Sequence, residues 1–135
     1  MAARTRRNLF RVAAAFFLGV LGKAQTPVHG GVKELARHAL TSPEQGMEAI
    51  LVEVTALPGA STVHRHPGFV LGYVLDGELK FAINGGSPEV IKAGGTFFEP
   101  NGALHTTGAS AKRDAPVRFL AFIVAPAGSP LTLPA

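Results

Sequence analysis

From Met47 onward, short apolar runs are cut by glycine- and proline-centred turns, and this pattern restricts the fold more than any other feature of the chain. Pro58-Gly59, Pro67-Gly68, Asp76-Gly77, Asn84-Gly85-Gly86, Ala93-Gly94-Gly95 and Pro100-Asn101-Gly102 punctuate the sequence. Between them lie runs rich in β-branched and aromatic residues. Strands recurring at roughly 8–12 residues with such turns predict an all-β, antiparallel sandwich or barrel. With 135 residues there is room for one domain. No cysteine is present, so the core has neither disulfide staples nor thiolate sites.

The expected strands are Ile50–Leu57, Glu89–Lys92, Thr96–Glu99, Leu104–Thr107 and Val117–Ala125. The last is apolar enough to be buried on both faces. Phe69–Phe81 is a long apolar stretch interrupted at Asp76-Gly77, which makes either a two-residue hairpin or a bulge bending one strand around a corner. Asn84-Gly85-Gly86 is the stronger hairpin signal. Val32–Leu40 has helical spacing but is short enough to be a helix or an edge strand. Phe81, Phe97, Phe98, Phe119 and Phe122 are expected to pack in the core.

The formal charge of +4 suggests an acidic partner until its distribution is considered. Arg4, Arg6, Arg7, Arg11 and Lys23 hold five of the thirteen basic residues, and no acid lies before Glu34. Setting those five aside leaves eight basic against nine acidic residues, a net of −1. A nucleic-acid-binding basic patch is therefore not expected.

Residues 1–24 have the layout of an export signal: a basic start, the apolar run Val12–Leu21, then small residues around Gly22 and Ala24. The run is about half the ~20 residues that span a bilayer, so no membrane association is expected once the signal is removed. Arg6-Arg7-Asn8-Leu9-Phe10-Arg11 resembles a twin-arginine signal; a general secretory signal is the alternative. Either implies a periplasmic or secreted protein. The expected organisation is a signal at 1–24, a linker and edge segment at 25–46, a barrel at 47–126 and a loose tail at 127–135.

Chemistry concentrates in two places. His64-Arg65-His66 puts two imidazoles on one side of an extended segment, with Arg65 on the other. His105 ends the separate segment Pro100-Asn101-Gly102-Ala103-Leu104-His105. Each neutral imidazole can offer one nitrogen to a metal. His29 and His38 lie outside both segments and receive no role.

These two segments resemble the paired motifs of the cupin superfamily. Gly59, His64, His66 and Gly77 match the first motif; Gly94, Pro100, Gly102 and His105 match the second. The resemblance covers about Glu48 to Ala125 and implies a double-stranded β-helix of jelly-roll type. It also implies a divalent transition metal (Fe, Zn, Ni, Cu or Mn) on His64, His66 and His105. Two positions depart from the family: Val70 stands where its ligating Glu is usual, and Ala109 where an Asn is usual. Glu99, adjoining Pro100, is the candidate additional ligand, whereas Asp76 and Glu78 lie by the bend and are expected in solvent. Small cupins often pair through edge strands, so a homodimer is an implied possibility.

Alternation from the histidines places Val70, Gly72, Val74, Thr107 and Ala109 inward as the pocket lining, with Tyr73 outside. Such a lining has few groups able to move protons. The expected functions are a small metal-dependent oxidoreductase, dioxygenase-like, acting on a small, mostly apolar molecule, or a non-catalytic module that binds or senses a small ligand.

Overall fold

The computed structural model describes residues 30–59 and 61–135. The proposed signal at 1–24 and His29 lie outside them. Ten strands follow in chain order: β1 (Gly31–Ala39), β2 (Met47–Ala56), β3 (His64–Arg65), β4 (Phe69–Asp76), β5 (Glu78–Ile83), β6 (Glu89–Lys92), β7 (Thr96–Glu99), β8 (Leu104–Ser110), β9 (Val117–Pro126) and β10 (Leu133–Pro134). They form two five-stranded antiparallel sheets, ordered β1-β2-β9-β4-β7 and β10-β3-β8-β5-β6. Among the described residues there is no helix.

The chain changes sheet at Gly77. β4 lies in the first sheet and β5 in the second, so the Asp76-Gly77 signal is a corner and not a hairpin. Gly77 has φ +82°, and a Cβ there would lie 2.8 Å from the Pro116 carbonyl oxygen. Glycine is the residue that tolerates both conditions. Asn84 and Gly85, both at positive φ (53° and 71°), form the turn closed by the Gly86 N–H to Ile83 carbonyl bond (2.9 Å), within the longer connection from β5 to β6.

The core fills the space between the sheets. Ile50, Val52, Val70, Val74, Leu79, Phe81, Phe97, Val117, Phe119 and Ile123 are buried together. Phe81 and Phe97 stack with ring centroids 4.7 Å apart, and Phe97 meets Phe119 edge-on at 5.5 Å. Each side chain of this size gains ~1.5–3 kcal/mol on burial.

One open alternative resolves and two expectations change. Val32–Leu40 resolves as an edge strand: β1 pairs with β2 from Gly31↔Thr55 to Ala39↔Glu48. β9 is central, between β2 and β4, yet its burial alternates along the strand. Among the described residues no layer packs over the outer face of this sheet, and Phe122 and Phe98 are 37% and 53% exposed. The segment from 127 onward is not loose. It returns to the second sheet, where Leu133 pairs with Arg65 and Pro134 with His64, while Leu131 packs on the core.

Candidate metal centre

The two histidine segments meet as neighbouring strands. β3 pairs with β8 so that His64 lies directly opposite His105. His66 is two residues on and points to the same side. The ring centroids of His64 and His66 are 4.8 Å apart, and those of His64 and His105 are 4.9 Å apart. One nitrogen from each of the three lies within 4.8 Å of the others.

The outer nitrogens are already engaged. His64 Nδ1 donates to the Thr62 carbonyl (2.6 Å), His66 Nδ1 to the Leu131 carbonyl (2.7 Å) and His105 Nε2 to the Thr107 carbonyl (2.9 Å). A carbonyl only accepts, so each bond fixes the proton on the outer nitrogen. The lone pairs of His64 Nε2, His66 Nε2 and His105 Nδ1 then face inward. His64 Nε2 and His66 Nε2 stand 3.2 Å apart, two acceptors with no proton between them in these tautomers. This is the outer-shell bonding that orients metal-ligating imidazoles.

Glu99, at the end of β7, completes the cluster. It is 2% exposed, with Oε1 3.4 Å from His105 Nδ1 and Oε2 3.9 Å from His66 Nε2. Glu99 Oε2 and His105 Nδ1 are buried without a hydrogen-bond partner. Such orphans are costly unless something else satisfies them. Burial pushes the Glu99 carboxyl up to about 7 and His105 down to about 4, and lowers His66 as well. With both imidazoles held neutral, the Glu99 contacts are not ion pairs. A largely buried cluster of three imidazole lone pairs and one carboxyl group, with two buried atoms unsatisfied, fits a divalent-metal site.

Neighbouring residues hold these groups. A β-bulge on β8 shifts the pairing between Ala82↔Thr107 and Ile83↔His105. The bulge reverses the alternation after His105, so Gly108 faces the centre and Thr107 faces away. A Cβ on Gly108 would lie 2.6 Å from His105 Nε2. Phe81 stacks on the other side of His105, 5.2 Å between centroids. Arg65, on the opposite side of β3, donates to the Gly102 carbonyl at 2.6 Å and ties the two histidine segments together.

The cluster opens into a cavity of about 270 Å³. The residues expected to line it do not. Val70 and Val74 are buried in the core, Gly72 leaves space that the Phe97 ring fills (a Cβ there would lie 2.0 Å from the ring), and Thr107 lines a separate surface pocket with Lys80 and Ala109. The walls come instead from Val52 and Val54 of β2, Phe97 of β7, and Phe119, Ala121 and Ile123 of β9, together with Val32, Leu131 and Thr132. The alternating apolar residues of β2 and β9 carried that signal. The return of Leu131 had none. Tyr73 is 46% exposed, outside the cavity. Asp76 is exposed, and Glu78 pairs with Lys112 at 3.1 Å. His38 lies exposed on β1, away from the cluster.

The comparisons with known proteins agree with this architecture. Residues 52–123 match the cupin domain family, and the chain belongs to that family. Among curated proteins, none matches by sequence. Its fold is similar to that of an uncharacterised conserved protein with a double-stranded β-helix domain from Klebsiella pneumoniae (TM-score 0.61, 20% identity, 82% of this chain and 88% of that one). It is also similar to a cupin-like protein from Thermotoga maritima (0.54, 23%, 73% and 75%) and to a conserved protein of unknown function from Streptococcus pyogenes (0.53, 16%, 73% and 75%).

Proposed function

We propose that this chain is an exported cupin that holds one divalent transition ion on His64, His66, His105 and Glu99 and acts on a small molecule in the adjoining cavity, as a dioxygenase-like oxidoreductase. The observation that carries the reading is the convergence of three inward lone pairs on a buried carboxylate, each imidazole fixed from outside by a backbone carbonyl. A bound transition ion would supply Lewis-acid or redox chemistry. The protein's own residues orient the donors, exclude water and hold the Glu99 proton until an ion displaces it.

A second reading, capture of a ligand without turnover, draws support from the lining. Among the described residues, apart from the four donor residues, only Thr132 carries a polar side chain there, and none of these supplies a separate acid or base for proton transfer. Metal analysis of protein purified without added metal separates the two. Stoichiometric iron or copper, lost in His64→Ala and His105→Ala, supports the oxidoreductase; metal content no higher than in those variants supports simple binding. Export is tested by expressing the full chain and comparing periplasmic with cytoplasmic fractions for wild type and an Arg6→Lys/Arg7→Lys variant.

A further inference from the structure

The polar groups of the cavity all stand at one end. His64, His66, His105 and Glu99 form the floor, and the walls above them are Val52, Val54, Phe119, Ala121 and Ile123. Among the described lining residues there is no Lys, Arg, Asn, Gln, Ser or Tyr, and Thr132, the remaining polar one, is exposed next to Leu131, whose carbonyl bonds His66, so it too stands at the histidine end. The backbone offers nothing in compensation. β2 pairs with β1 and β9, and β9 with β2 and β4, so along the wall their amides and carbonyls are engaged within the sheet. A ligand group midway up the cavity meets hydrocarbon on every side.

We infer that the cavity takes a small, one-headed ligand: one metal-ligating or hydrogen-bonding heteroatom at the histidine end and an uncharged apolar body against β2 and β9. A second polar or charged group on that body is selected against, because burial would leave it without a partner. The volume of about 270 Å³ lies just below the ~300–1,000 Å³ of pockets for drug-sized ligands, and limits the body to about one ring or a short branched chain. The head's anchor rests on the metal reading above; the selectivity of the walls does not.

The test uses three probes of one shape: benzyl alcohol, 1,4-benzenedimethanol and 4-(hydroxymethyl)benzoate, titrated by NMR into zinc-treated and metal-free protein. Benzyl alcohol should bind at least about tenfold more tightly than either of the others in both preparations. Val54→Phe, which fills the wall, should abolish benzyl alcohol binding while zinc uptake persists. Equal or tighter binding of either doubly polar probe, or undiminished benzyl alcohol binding to Val54→Phe, overturns the inference. Absence of zinc uptake with the rank order intact defeats the metal reading and leaves this one standing; zinc uptake with the rank order lost does the reverse.

Discussion

Val70 and Glu99 are direct cross-strand partners on β4 and β7. Both are buried, at 1% and 2% exposure, yet one joins the apolar core and the other closes on the histidines. The cupin pattern has a carboxylate on the strand after His-x-His; here the buried carboxylate beside the histidines lies on the neighbouring strand, directly opposite that position. With Val at position 70, Glu99 is the carboxylate that stands beside His66 and His105.

This placement predicts a specific pattern in variants. Glu99→Gln keeps the shape and removes the charge, and should weaken zinc or iron binding about 10–100-fold by competition against a chelating dye. Val70→Glu combined with Glu99→Val returns the carboxylate to β4 and should recover part of that loss. If Glu99→Gln binds metal as wild type does, the carboxylate is not a donor.

The metal-free protein should show a two-sided dependence of stability on pH. His105, lowered by burial from 6.5 to about 4, takes up its proton more readily when unfolded, so its contribution is intact above pH 6.5 and is lost as pH falls towards 4. Glu99, raised by burial from 4.5 to about 7, gives up its proton more readily when unfolded, so its contribution is intact below pH 4.5 and is lost as pH rises to 7. Over pH 4.5–6.5 the two trends oppose each other. Glu99→Gln should therefore stabilise the metal-free protein above pH 7, by an amount on the order of 3 kcal/mol, and leave it unchanged below pH 4.5. Urea titrations at pH 4.5, 6 and 8 measure this; identical profiles for wild type and variant would remove Glu99 from the account. Metal addition at pH 6 should release a proton, since a ligating carboxylate must be ionised.

Much of this was legible in the sequence. The turn pairs mark most strand boundaries, and the spacing of His64, His66 and His105 to the flanking Gly and Pro residues identifies the family and the three imidazoles. What escaped had local physical causes. The lining was assigned by strict alternation, which the bulge after His105 reverses and which the Phe97 ring over Gly72 blocks on β4. β9 reads as doubly buried because its outer face is as apolar as its inner one, and hydrophobicity alone does not say that, among the described residues, no layer lies above it. Leu131 reaches His66 by a contact across 65 positions of chain, and nothing in the residues between encodes it locally.

Gly108 offers a way to disturb His105 without touching a ligand. A Cβ there would lie 2.6 Å from His105 Nε2, so Gly108→Ala should displace the ring and break its bond to the Thr107 carbonyl. Metal affinity should fall about tenfold or more while far-UV circular dichroism keeps the all-β signature. Unchanged affinity would mean that the ring's position is not critical.

The outer face of the first sheet predicts self-association. Phe69, Leu71, Tyr73, Phe98 and Phe122 are 36–53% exposed there, with Leu71 opposite both Phe98 and Phe122 in register. Together they expose on the order of 500 Å², at the size where a surface patch is often functional. With its polar rim, such a face approaches the ~800 Å² that each partner contributes to a standard interface. An apolar sheet face of this size offers a surface on which a second copy can pack about a twofold axis. Sedimentation should give a dimer at tens of micromolar, and a monomer for Leu71→Lys/Phe98→Lys; a monomeric wild type contradicts this.

The most direct test is an anomalous-scattering map of crystals grown after exposure to zinc, iron, nickel, copper or manganese, one ion at a time. At least one ion should give a single peak about 2.0–2.2 Å from His64 Nε2, His66 Nε2 and His105 Nδ1, with a Glu99 oxygen alongside. Maps without a peak at the three imidazoles for any of these ions would contradict the metal centre itself.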